Sequence, residues 1–264
     1  MPEPELSDEE TKILLRKRIE TTTKRVAMLA FSDGQSSSPE SVDNNGTVSL
    51  LELPKGKFLI TNFHVWDEFR NRRTTDKNCK VGLTGEGLVR PIDISDASVV
   101  SESQELDLCV LSYPPERIEA IGKEFFRPLN WPPTRMSEGE DVCFTGFPGV
   151  RRSVEEIQHP HINESISVLW HESVILWMHA EGISDRKVRM RFTNPNPETI
   201  QLSKKEIGEY RWGGMSGSLV YRKDSALSRF VPCGILHAAG NGKNATFFAT
   251  HLDFIHDDGT IIVS

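Results

Sequence analysis

Ser216 lies in the run Gly213-Gly214-Met215-Ser216-Gly217-Ser218. Upstream stand His64, in Thr61-Asn62-Phe63-His64-Val65, and Asp107, in Leu106-Asp107-Leu108. A serine hydroxyl is a weak nucleophile at neutral pH. It becomes effective when an imidazole takes its proton during attack on a carbonyl and a carboxylate orients that imidazole. The three residue types follow one another as histidine, aspartate and serine, spaced by 43 and then 109 residues. The chemistry such a set supports is acyl transfer to serine followed by hydrolysis.

Each member has a plainer reading when taken singly. A histidine beside Phe63 and Trp66 is often a packing residue, an aspartate can cap the start of a strand, and a glycine-rich turn can simply feed the strand Leu219-Val220-Tyr221. Asp107, however, sits among Leu106, Leu108, Val110 and Leu111. A carboxylate carried into apolar surroundings needs a partner, and His64 is the one expected. Asp93 and Asp96 are weaker candidates, lacking the Leu-Asp-Leu context. Gly214 can adopt backbone angles that aim its N–H, together with that of Ser216, at a developing oxyanion.

These words resemble the trypsin-like serine proteases, whose triad follows this chain order, and within them the HtrA (Deg) branch. The resemblance rests on Thr61-Asn62-x-His64-Val65, on the turn Gly146-Phe147-Pro148-Gly149 and on Gly214 to Gly217, and spans roughly residues 24 to 255. It implies an all-β fold of two six-stranded antiparallel β-barrels and a serine endopeptidase without cofactor or metal. In that reading Ser216 is the nucleophile, His64 the general base and Asp107 its orienting carboxylate. Gly214 and Ser216 form the oxyanion hole, and Tyr210, His237, Ala238 and Ala239 bind substrate. With Phe247 and Tyr210 closing the pocket, it favours small or apolar side chains, and the 236 to 239 edge pairs with an extended substrate.

Two positions depart from the family pattern. Met215 stands where secreted relatives carry an acid that pairs with a newly cleaved N-terminus, and Ser218 stands where a glycine follows. The expected enzyme therefore lacks that zymogen switch and is gated instead by a partner or ligand. HtrA proteins add a PDZ domain, which is not expected within these 264 residues. An α/β-hydrolase elbow, Gly-x-Ser-x-Gly, fails because Ser218 occupies the final glycine position. Two other readings stay open: a peptide-binding or sensor module of the same fold with little or no hydrolysis, and an esterase.

Composition sets outer bounds. With 37% hydrophobic and 26% charged residues and a mean hydropathy of -0.38, the chain reads as an ordinary soluble protein. A net charge of -7 repels phosphate backbones and anionic membranes, so neither nucleic acid nor membrane is an expected partner. The acidic start Met1-Pro2-Glu3-Pro4-Glu5 has no apolar leader after it, and a cytoplasmic location is expected. Cys79, Cys109, Cys143 and Cys233 have no CxxC spacing and read as reduced core thiols. His159, His161, His251 and His256 lack metal-ligand spacing. Arg70, Arg72, Arg73, Arg151 and Arg152 read as loop charge.

The elements that must position the triad follow from periodicity. Ser7 with Glu10 is a capping-box pattern, and Ile13, Leu14 and Ile19 recur at helical spacing, so an amphipathic helix is expected over residues 8 to 22. It is the expected docking element for a regulatory protein. The chain then divides into an N-terminal tail and helix (1 to 23), a first barrel (24 to 115), a proline-bearing connector (116 to 140) and a second barrel with a C-terminal segment (141 to 264). Val26 to Phe31 reads as a buried strand, residues 34 to 46 as a loop, and Val48 to Leu53 with Phe58 to Thr61 as a hairpin around Pro54-Lys55-Gly56. His64 is placed at the corner where that hairpin gives way to a short helical segment.

Overall fold

The computed structural model of the chain describes residues 21–32, 42–84, 91–149, 152–158, 165–171, 173–191, 212–224, 229–239 and 246–263. Strand β1 (Val26–Ser32) is buried from Val26 to Phe31, as a strand flanked on both edges and covered on both faces must be. Its neighbours are the antiparallel β2 (Val42–Leu53) and β4 (Lys80–Thr84). The turn at Pro54-Lys55 returns β2 into β3 (Gly56–Thr61), as the hairpin pattern anticipates. With β5 (Ile92–Asp93), β6 (Ser98–Ser103) and β7 (Leu108–Ser112) these strands form a seven-stranded sheet in the order β5-β4-β1-β2-β3-β7-β6. It curls as a half-barrel around Leu29, Phe31, Leu50, Leu59, Val81 and Leu111. The expected six strands are seven, and its edge strands β5 and β6 are not paired to each other among the described residues.

Helix α1 (Phe63–Thr75) plugs the sheet with Val65, Trp66 and Phe69. Arg70, Arg72 and Arg73 lie on this helix rather than on a loop. Arg70 donates to Glu102 and Asp67, Arg72 to Glu68, and Arg73 to the Ser95 carbonyl, so their charge is largely spent locally. The connector carries only the short α2 (Pro115–Glu119), with proline in the first turn where its missing N–H costs nothing.

The second barrel is closed, in the order β11-β12-β15-β14-β13-β8. Its strands are β8 (Asp141–Gly146), β11 (Val174–Ile183), β12 (Lys187–Arg191), β13 (Leu219–Asp224), β14 (Arg229–Ala239) and β15 (Thr246–His251). Phe144, Leu176, Met190, Trp212 and Phe247 fill it. A separate ribbon of β9 (Arg152–Gln158) and β10 (Ser165–His171) stands outside the closed order, and Arg152, read from sequence as loop charge, is the first residue of β9. Between the two sheets runs a third apolar cluster that joins Leu51, Ile60 and Val110 of the first to Leu219, Tyr221 and Ile235 of the second.

All four cysteines are free and buried, and burial pushes the Cys109 thiol well up. Of the helix expected over residues 8 to 22, only its last residues lie within the described region, where Thr21, Thr22 and Thr23 are helical. Thr22 and Thr23 reach the second barrel through Thr145 (2.9 Å) and Ser173 (3.2 Å). Lys123 donates to the Thr23 carbonyl at 3.0 Å. Among the described residues no helix is long and apolar enough to cross a membrane.

Candidate active site

Strand pairing brings His64 and Asp107 together. Thr61, the last residue of β3, lies opposite Cys109 of β7, so the residues just beyond β3 face those just before β7. His64 occupies the first turn of α1, and its Nδ1 lies 2.8 Å from Asp107 Oδ2 and 3.0 Å from Oδ1. The His64 backbone N–H donates to Oδ1 at 3.0 Å. Asn62 Nδ2 donates to the Asp107 carbonyl at 2.8 Å. With Nδ1–H given to the carboxylate, Nε2 is left as the basic nitrogen.

Asp107 is held at φ 53°, the left-handed region, which no other described non-glycine residue occupies. Such a conformation costs on the order of 1–3 kcal/mol and persists where surrounding contacts impose it. Here Asn62, the His64 N–H and the His64 ring impose it. The His64 side chain is 51% exposed and that of Asp107 17%, so the pair has an open basic side and a covered acidic one.

The serine loop is fastened to the first sheet by alternate residues of β2. Thr47 N–H donates to the Ser216 carbonyl at 2.8 Å. Thr47 Oγ1 donates to the Gly214 carbonyl at 2.8 Å and Ser49 Oγ to the Gly217 carbonyl at 2.7 Å. Asn45 Nδ2 donates to the Phe147 carbonyl at 2.7 Å. The period-2 series Asn45, Thr47, Ser49 thus turns one polar row of the strand toward the nucleophile. Sequence reasoning placed residues 34 to 46 in a loop and passed over this row. β2 in fact begins at Val42, because main-chain pairing with β1 (Phe31 opposite Asn44) needs no apolar side chains. The signal was the alternation of Asn45, Thr47 and Ser49 with Gly46, Val48 and Leu50.

Two further fastenings, of the Gly213 and Met215 carbonyls, decide where the loop's N–H groups point. Gly149 N–H donates to the Gly213 carbonyl at 2.7 Å. The Met215 carbonyl accepts from Ser218 N–H at 3.1 Å and from Ser218 Oγ at 2.6 Å. Because C=O and N–H of a trans peptide point in opposite directions, both fastenings turn the next N–H, of Gly214 and of Ser216, to the free side. No described residue accepts either N–H. Gly214 reaches this geometry at φ 93°. Ser218, the departure from the family pattern, is thus a fastening of the loop.

Downstream, β14 pairs with β13 as far as Leu219 opposite Ile235, and the Leu236 backbone closes that edge with Ser218 (2.9 Å) and Gly217 (2.8 Å). Ala238 and Ala239 pair with Phe248 and Phe247 of β15, while no described residue takes up the other edge beyond Leu236. Phe247, expected at the pocket, is fully buried in the barrel core, 5.5 Å from both Phe144 and Trp212. Tyr210 lies outside the described residues.

The His237 ring turns inward. Its side chain is 9% exposed, and Nδ1 lies 3.7 Å from Asp107 Oδ2. Burial, reinforced by the Lys187 charge and by His64 and opposed by Asp107, lowers its pKa from 6.5 to about 4. A histidine whose folded pKa is depressed binds its proton more readily when unfolded. Stability is therefore complete above about pH 6.5 and is lost as pH falls through the window toward 4, by about 3 kcal/mol for this residue. Urea titrations between pH 7 and 4 should show that slope, and His237→Phe should flatten it; parallel curves would show that His237 does not carry it.

No family model matches this chain, and no curated protein does. Solved structures do. The serine protease domain of the Sesbania mosaic virus polyprotein is 13% identical, with 87% of this chain and 89% of that one covered and a TM-score of 0.44. A Glu endopeptidase is 10% identical over 87% and 85% of the two chains, with a TM-score of 0.45. A structure from work on coupled folding and binding of the disordered Sesbania mosaic virus VPg protein is 13% identical over 87% of each chain, TM-score 0.45. What the site does chemically rests on its own geometry.

Proposed function

We propose that the chain is a trypsin-like serine endopeptidase. Ser216 attacks the scissile carbonyl, His64 takes its proton and returns it to the leaving amine, and Asp107 orients the imidazole. The observation that carries this reading is the closed His64–Asp107 pair beside a loop whose Gly214 and Ser216 N–H groups are both unspent. Those donors would stabilise the tetrahedral oxyanion without reorganising. The free edge of β14 at His237 to Ala239 would take an extended substrate as an added strand. The HtrA-like words of the sequence, and a cytoplasmic setting, belong to the same proposal.

A second reading, a peptide-binding module with little or no hydrolysis, is favoured by one observation: no hydrogen bond joins Ser216 Oγ to His64 among the described residues. In a protease that bond tightens when substrate or a regulator arrives. Gating of this kind suits a partner docking near Thr22 and Thr23, which touch the second barrel. Treatment with a fluorophosphonate separates the readings. Intact mass should show one adduct on the wild type and none on Ser216→Ala, with peptide turnover following the same pattern. Absence of both labelling and turnover would sink the endopeptidase.

A further inference from the structure

We propose that His237 is a positioning residue: a second imidazole set against the carboxylate that orients His64. This deepens the endopeptidase reading and rests on it.

The backbone delivers the ring. Leu236 of β14 lies opposite Ala249 and Ala238 lies opposite Phe248, so His237 is the extra residue of a β-bulge. Bulges re-aim one side chain out of the regular alternation, and this one aims an imidazole at Asp107. Asp107 Oδ2 then lies 2.8 Å from His64 Nδ1 and 3.7 Å from His237 Nδ1, the two rings coming from different barrels.

Among the described residues the ring's other surroundings give it nothing comparable. Its buried Nε2 has no hydrogen-bond partner among the described residues, and Phe248 lies against it with ring centres 6.1 Å apart. Burying an unpaired polar atom is costly, so a ring kept here for packing alone would be better made apolar. The groups that face it are Asp107, Lys187 and His64. Between two other cationic or protonatable groups the ring stays neutral, and we place its hydrogen on Nδ1, from which a closure of about 0.5 Å on the 3.7 Å separation would make a hydrogen bond to the carboxylate. A neutral donor steadies Asp107 in its left-handed conformation. It does so without adding a positive charge that would oppose the imidazolium formed on His64 during attack.

The test compares wild type, His237→Phe and His237→Gln as full chains. Two readouts are used: saturation kinetics of fluorophosphonate acylation, and proton NMR of the His64 Nδ1–H in ¹⁵N-histidine-labelled protein. His237→Phe should lower the maximal acylation rate about 10- to 100-fold, with the half-saturating concentration within about twofold, and should shift the His64 Nδ1–H resonance. His237→Gln, which keeps a donor, should recover most of the loss. Should phenylalanine prevent folding, His237→Leu serves the same comparison.

An unchanged acylation rate together with an unchanged resonance would overturn the proposal. So would equal losses in Phe and Gln with the resonance unmoved, the pattern of mere packing. If the wild type does not react at all, the endopeptidase reading fails by itself. The resonance then still decides: a shift in His237→Phe supports positioning and no shift overturns it.

Discussion

Asp107→Asn is expected to fold normally and to lose about 10⁴-fold in turnover. The two halves of that expectation come from different properties of one residue. Asn shares the tolerance of Asp for the left-handed region, so φ 53° is no harder to hold, and its amide oxygen can still accept the His64 backbone N–H at the Oδ1 position. Chemistry does not survive so easily. An amide NH₂ facing His64 Nδ1 forces that nitrogen to become the acceptor and puts the hydrogen on Nε2, where Ser216 needs a base. No carboxylate then balances the imidazolium. The melting temperature should stay within about 2 °C of wild type. Activity within tenfold of wild type would show that Asp107 is not part of the machinery, and a large fall in Tm would show that its role is conformational.

Gly217→Ala is the largest expected loss of stability. A Cβ built on Gly217 would sit 1.8 Å from the Thr47 carbonyl oxygen and 2.7 Å from Thr61 Oγ1, at φ 96°. The first obstacle is backbone in the middle of β2, so the strand or the serine loop must move. We expect a cost above about 4 kcal/mol, lowering Tm by about 10 °C or more, or preventing folding. Gly139→Ala is the control: φ is 83° but nothing lies within 4 Å, leaving only the conformational penalty of about 1–2 kcal/mol. Thermal denaturation of the two variants side by side decides the matter. Equal losses would mean that the contact with Thr47 is not the constraint.

Much of the site was legible because its chemistry needs particular residue types at strand ends and turns. His64 after a hairpin, Asp107 in an apolar run and glycines around Ser216 are local patterns. What escaped depends on partners distant in sequence. Asn45 looks like a loop residue until β1 pairs with it, and its side chain and that of Thr47 matter only because Phe147 and Gly214 arrive from the other barrel. The inward turn of His237 arises from a one-residue slip between β14 and β15, and a bulge leaves no mark in the pattern Leu236-His237-Ala238-Ala239. Phe247 has the same apolar character whether it lines a pocket or fills a barrel; only the packing of Phe144 and Trp212 decides.

The apolar seam between the barrels limits how the proposed gating could work. His64 and Asp107 ride on one sheet and Ser216 on the other, yet Leu51, Ile60 and Val110 pack against Leu219, Tyr221 and Ile235 without a break. Swinging the halves apart like a clam would bring that whole surface into water, at roughly 25 cal/mol for each Å² uncovered. A regulator of the proposed kind, if too weak to meet such a cost, would have to act on a smaller scale, by moving the Ser216 hydroxyl and its loop while the two barrels stay docked.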